Sequence, residues 1–220
     1  ETAERIRRIA EENGVIRAKY RKDRPSTDIA IIVPEIVSVY YSQTVSGVVD
    51  ELRKYDIEPH IHLCGFEAER YCRIIDSITD GDRIDGIIAI TDMVSPLPFD
   101  VPMVRISVKP TRDRSDTIDC DIETGMYEAV EYLMALGHRK IGFVSEKNTK
   151  LKYLYFKSIA SRLELEVDPK FVFVSDKRFA EIGAEAAEYY MSLDEMPTAL
   201  LTAYDEVALG AIHTFSRNGV

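Results

Sequence analysis

His60, His62 and Cys64 alternate along a segment that reads as a β-strand, so their side chains would share one face. Imidazoles and a thiol at that spacing form a chemically competent metal-ligand set. A strand buried in a parallel sheet packs each face under helices, however, which favours core or edge roles for all three, and no metal or other cofactor is expected. The remaining groups suited to chemistry are aromatic rings and carboxylates in loops: Tyr40, Tyr41, Asp121, Phe179, Tyr204 and Asp205. Flat apolar faces beside hydrogen-bonding carboxylates suit a small polyhydroxylated molecule, or a flat base, held in a cleft. Each residue also has a plainer role. Tyrosines pack with the hydroxyl in water, loop aspartates cap helices, and Asp205 stands where it could cap the helix that follows. The chain carries no glycine-rich dinucleotide fingerprint, phosphate-loop Gly-Lys-Ser/Thr, Gly-x-Ser-x-Gly elbow or His-Glu-x-x-His. An enzyme is not expected.

An alternation of short apolar strands and amphipathic helices surrounds these loops. Strands are expected over 29–33, 57–63, 84–90, 102–106, 117–120, 140–145, 171–174 and 198–202. Helices are expected over 42–55, 67–78, 124–136, 150–163, 179–193 and 206–218. Another helix over 1–12, with Thr2 a possible cap, ends at Asn13-Gly14 and leads to a linker at Pro25-Ser26. Repeated strand–helix–strand units require right-handed crossovers and a covered parallel sheet. The fold class expected is α/β: two doubly wound parallel-sheet subdomains over 28–138 and 139–220, preceded by residues 1–27. Ligands of such sheets bind beyond the carboxyl ends of the strands. That rule selects the loops at 35–41, 65–66, 91–98, 107–112, 121–124, 146–150, 175–179 and 203–205.

The 220 residues are 45% hydrophobic and carry a net charge of −10. Residues 1–28 hold eight Lys/Arg against six Asp/Glu, and the remainder 20 against 32. An acidic body repels a phosphate backbone, so DNA contact would have to come from the N-terminal stretch or from upstream of it. Three cysteines fit no disulfide framework and suit a reduced cytoplasm. No apolar run approaches the roughly 20 residues needed to span a bilayer, and the first twenty residues lack the apolar centre of a secretory signal.

Several segments then fall in a telling order. Ile84-Asp85-Gly86-Ile87-Ile88 comes first, then Asp121 with Gly125, and then Leu136-Gly137-His138-Arg139-Lys140-Ile141-Gly142-Phe143. Pro197-Thr198-Ala199 through Asp205 follows, leading into Ala208-Leu209-Gly210-Ala211. Together with Thr2, Arg5-Ile6, Ile9-Ala10-Glu11-Glu12, Gly14 and residues 29–34, they resemble the lactose/galactose repressor (LacI/GalR) family of transcriptional regulators. The resemblance covers nearly the whole chain.

That resemblance implies a type I periplasmic-binding-protein-like fold and a homodimer using the helix at 42–55 and the C-terminal part of the chain. It also implies a small effector between the subdomains, a sugar or related molecule in preference to a nucleobase. The effector would change the angle between subdomains and so the fit of two headpieces to operator DNA. By correspondence Tyr40 and Tyr41 would contact the effector and Asp205 would accept its hydrogen bonds, while Phe179 or Arg178 stands near a family aromatic contact. Tyr204 replaces the usual Asn before Asp205, Ile122 replaces the Asn after Asp121, and Ser107 stands where many relatives have an acidic residue. Lys152 is nearest to a family arginine, exchanging a planar fork for a point charge. The effector site expected is thus Tyr40, Tyr41, Ser107, Asp121, Lys152, Phe179, Tyr204 and Asp205.

Residues 17–24 lack the family's Ala-Arg-x-Leu hinge pattern. The recognition helix would lie upstream of Glu1, and the family's closing strands beyond Val220. The function expected is transcriptional regulation, as a cytoplasmic repressor with no membrane association. An extracytoplasmic sugar-binding protein serving transport is the alternative, against which the Arg-rich helix at 1–12 argues; an α/β enzyme is a third reading without a motif.

Overall fold

The computed structural model describes residues 27–80, 84–94, 101–107 and 115–220. The helix expected over 1–12, the linker as far as Ser26 and much of the loops at 91–98 and 107–112 lie outside the described residues. Two compact units divide the chain, one ending at Cys120 and one running from Asp121 to Val220.

In the first unit β1 (Ile29–Val33), β2 (His60–Leu63), β3 (Gly86–Ile90), β4 (Met103–Ser107) and β5 (Asp116–Asp119) form one sheet. Its order is β2-β1-β3-β4-β5, with every neighbouring pair parallel. Central strands of such a sheet are covered on both faces, which is why β1 and β3 read IAIIV and GIIAI. The covers are α1 (Val39–Arg53) and α2 (Ala68–Thr79). Successive β1 side chains serve opposite faces: Ile31 and Val33 pack with Val45 of α1, whereas Ala30 and Ile32 pack with Tyr71 and Ile75 of α2. The chain runs outward from β1 to β2 and then crosses back to β3. The loops after β1 and β3 therefore diverge, opening a crevice at the carboxyl ends of these two strands.

Most element boundaries fall within two residues of expectation, and two starts differ by three. α1 begins at Val39, not residue 42, because the Ser38 hydroxyl accepts the Tyr41 N–H at 3.3 Å and caps the helix. Tyr40 and Tyr41 thus stand on the first helical turn instead of in a loop. β2, expected from residue 57, begins at His60 and forms the sheet's edge.

The second unit holds β6 (Ile141–Glu146), β7 (Val172–Ser175) and β8 (Ala199–Thr202) in the parallel order β7-β6-β8. Its helices are α3 (Ile122–Ala135), α4 (Lys150–Arg162), α5 (Ala180–Met191) and α6 (Asp205–Arg217). β6 is buried at every position. On one face Phe143 stacks on Phe156 of α4 at 4.9 Å and shares a core with Val130 of α3. On the other, Val144 packs with Ile182 of α5 and Val207 of α6. Because α3 buries its apolar face in this core, the division falls after Cys120, where the sequence suggested 138/139.

α5 and α6 meet backbone to backbone. A Cβ on Gly183 would lie 2.0 Å from the Val207 carbonyl oxygen, and one on Gly210 would lie 2.0 Å from that of Ala180. Only glycine permits that approach, and it fixes where the two helices begin. No helix among the described residues is long and apolar enough to cross a membrane.

Candidate functional site

At the carboxyl ends of the first sheet, three aromatic rings form a chain. Tyr40, half-exposed, meets Tyr41 edge-on at 5.0 Å, and Tyr41 lies 6.2 Å from Phe66, which follows β2. Ser107, the last residue of β4, is 3% exposed and donates its hydroxyl to Asp92 Oδ1 at 2.6 Å. Asp92 itself is exposed, just past β3. Burial pushes the Tyr40 phenol pKa up, and Cys120 and then Asp92 add to the shift. Asp92, after β3, and Tyr40, on the helix after β1, both follow the carboxyl ends of their strands. Arg105 of β4, wholly buried, donates through Nη1 to the carbonyls of Thr91 at 3.3 Å and Met93 at 2.5 Å.

The second unit gathers a denser group. Glu146 ends β6 and is 4% exposed, yet it carries a carboxylate. The Arg178 Nε donates to its Oε2 at 3.0 Å. Tyr204, after β8, accepts the Phe179 N–H on its hydroxyl at 3.1 Å, and the Glu146 carboxylate is near enough to raise the pKa of that hydroxyl. Burial first, with Glu146 adding, pushes the Tyr204 phenol up to about 12. The Phe179 and Tyr204 rings meet edge-on at 6.2 Å. The Arg178 guanidinium lies 4.6 Å from the Phe179 ring centroid, and the Lys152 ammonium lies 6.0 Å from that of Tyr204. Lys152 also donates to the Ala203 carbonyl at 2.5 Å. Phe179 is held at φ 59°, ψ −140°, a region that non-glycine residues rarely occupy and that collects at functional sites.

Of the residues expected from sequence, Tyr40, Tyr41 and Ser107 share the first rim, and Lys152, Phe179 and Tyr204 share the second. Asp205 begins α6 beside the second group. The cap of that helix is Tyr204, so capping does not account for Asp205. Asp121 stands apart. It caps α3 by accepting the Thr124 N–H at 2.9 Å, and that bond holds its carboxyl below the usual range. Asp92, Glu146 and Arg105 were not singled out from the sequence. The available signal was a carboxylate directly after a buried strand, within loops that the carboxyl-end rule had already selected.

The His60, His62 and Cys64 face runs from exposed to buried along β2. Burial, then His60, lowers the His62 pKa, and burial pushes the Cys64 thiol up to about 11, away from the thiolate a metal needs. Among the described residues no group of three His, Cys, Asp or Glu is placed to hold a metal ion. The two rims offer aromatic faces, fixed cations and carboxylate acceptors, which is chemistry for holding a polar molecule.

Residues 130–220 match the family model of a periplasmic binding protein-like domain. Over 208 residues the chain is 26% identical to catabolite control protein A of Priestia megaterium, covering 90% of this chain and 62% of that protein. It is 27% identical over 235 residues to the HTH-type transcriptional repressor CytR of Escherichia coli, covering 100% of this chain and 67% of the repressor. The fold resembles a LacI family transcriptional regulator from Lactobacillus casei with bound glucose. That likeness has a TM-score of 0.77 and 18% identity, covering 89% of this chain and 77% of that one.

Proposed function

This chain is homologous to the LacI-family transcriptional regulators, and on that premise we propose that it is the effector-binding part of a cytoplasmic repressor. Its hold on operator DNA would respond to a small hydroxyl-rich molecule, a sugar or close relative. The reading rests on one observation above others. Lys152, Phe179 and Tyr204, far apart in sequence, meet at the carboxyl ends of β6, β7 and β8, where a parallel sheet takes its ligand. Glucose in a regulator of the same fold makes a sugar the first class to try. Similarity to a repressor along the whole chain favours regulation over a transport receptor. Homodimerisation through α1 and the C-terminal part belongs to the same reading, as does DNA contact through residues upstream of the effector-binding part.

Asp205 supplies the test. An ionised carboxylate accepting from ligand hydroxyls contributes about 1.5–3 kcal/mol per bond. Asn keeps one acceptor, loses the charge and presents N–H donors where the ligand also donates. The sugar that raises the melting temperature in a thermal-shift screen should therefore bind Asp205→Asn about ten- to a hundred-fold more weakly in calorimetric titration. The melting temperature of the unliganded protein should barely move. Equal affinities would remove Asp205 from the site.

A further inference from the structure

We propose that Glu146 is a positioning residue of the effector site: its buried carboxylate anchors Arg178 and thereby holds the Phe179 ring where a ligand can pack on it. The inference rests on the sugar-effector reading and adds to it a residue that acts through its neighbours.

Glu146 ends the central strand of the second sheet, and its side chain is buried there. The Thr149 hydroxyl accepts the Glu146 N–H at 3.3 Å and lies 2.8 Å from the Ser145 hydroxyl, so the turn that presents the carboxylate is itself closed. From that fixed point Oε2 takes the Arg178 Nε at 3.0 Å, across 32 residues of chain. The guanidinium then lies 4.6 Å from the centroid of the next ring, Phe179. A planar cation on an aromatic face is attractive in its own right, and it orients both groups. Phe179 in turn gives its N–H to the Tyr204 hydroxyl and meets the Tyr204 ring edge-on. One carboxylate therefore stands at the head of a continuous chain of contacts that ends on the rim.

Stability alone does not account for this pair. Apolar residues of similar volume commonly replace a buried ion pair without loss, so such a pair is weak as a stabilising device. The backbone at Phe179 explains the need for it. A phenylalanine at φ 59° persists only where the surroundings over-determine it. The Tyr204 hydroxyl constrains its N–H, and Glu146 constrains the residue just before it. Without the carboxylate the Arg178 side chain loses its anchor, the segment relaxes toward ordinary dihedrals, and the ring leaves the carboxyl ends of the strands. A flat ring held there suits a sugar, whose C–H face packs on it.

The experiment is calorimetric titration of the wild type with D-glucose, sucrose and D-ribose. The sugar bound best is then titrated into Glu146→Gln, Phe179→Leu and the double variant, each at a temperature where circular dichroism shows it folded. Glu146→Gln should weaken that sugar about five- to fifty-fold. Phe179→Leu, which keeps an apolar side chain but no flat face, should weaken it by a similar factor. In the Phe179→Leu background Glu146→Gln should add less than a two-fold loss, because the ring it positioned is gone; a merely structural glutamate would weaken binding by the same factor in both backgrounds. Equal affinity of the wild type and Glu146→Gln, or an undiminished loss in the double variant, overturns the assignment while leaving the effector reading standing. Should Glu146→Gln or Phe179→Leu fail to fold or to bind measurably, Glu146→Asp decides. Its shorter carboxylate draws back from Arg178, so a two- to ten-fold loss supports the assignment and wild-type affinity overturns it. If none of the three sugars binds the wild type, the sugar reading itself fails and this inference falls with it.

Discussion

Replacing Gly210 with alanine tests whether the α5–α6 contact sets the second rim. The new methyl carbon would sit 2.0 Å from the Ala180 carbonyl oxygen and 2.7 Å from two further backbone atoms of that residue. Comfortable separation is roughly 3.5 Å, so the helices must part by about 1 Å or more. No side chain can swing aside, because the obstruction is main chain. Overpacking of this kind costs about 1–3 kcal/mol, and alanine returns up to about 1 kcal/mol in helix propensity. The balance should be a loss of about 1–2 kcal/mol, or several degrees in melting temperature for a unit of this size. Ala180 follows Phe179 directly, and α6 begins at Asp205, so the same displacement should weaken sugar binding. Gly125→Ala in α3 is the matched control, since its Cβ would meet nothing within 4 Å. That variant should gain stability by up to about 1 kcal/mol. Scanning calorimetry of both variants decides. A Gly210→Ala protein as stable as the wild type would refute the close-contact argument.

Arg178→Ala leaves the buried Glu146 carboxylate without its guanidinium partner and should cost about 3–5 kcal/mol near neutral pH. Urea unfolding at pH 7 should show that deficit, and an unchanged midpoint would count against the pair. At high pH, Cys64 and Tyr204 act together. Their folded-state pKa values are raised, from 9.0 to about 11 and from 10.0 to about 12, so each favours the protonated form in the folded state. The stability they contribute is complete below about pH 9 and is lost as pH climbs from 9 through 11 and then to 12. The Cys64 share is at most about 2.7 kcal/mol. Cys64→Ala should flatten the fall in urea midpoint between pH 9 and 11; an equally steep fall in that variant would argue against a buried thiol.

Strands with continuous apolar runs, such as Ile29–Val33, were legible because burial on both faces leaves no room for polar side chains. The start of α1 was not. Ser38 lies among Ile36, Val37 and Val39, where its hydroxyl reads as filler until the Tyr41 N–H is seen on it. Tyr40, Phe179, Tyr204 and Ser107 could be picked out because ring or position marked them. Asp92 and Glu146 could not, since their partners, Ser107 and Arg178, lie 15 and 32 residues away. The unit boundary was hidden for a related reason. The spacing of α3 reveals an apolar face but not that Val130 meets Phe143 and Phe156.

Phe179 has a consequence for any effort to improve this protein. Its backbone conformation costs a phenylalanine about 1–3 kcal/mol that a glycine would not incur. Random mutagenesis under heat selection should therefore enrich small or left-handed-tolerant residues at 179, and those survivors would lack the ring that faces Tyr204. Durability and recognition pull against each other at this position. Lineages of this protein that have given up their ligand should betray themselves by a glycine there before any other residue of the rim has changed.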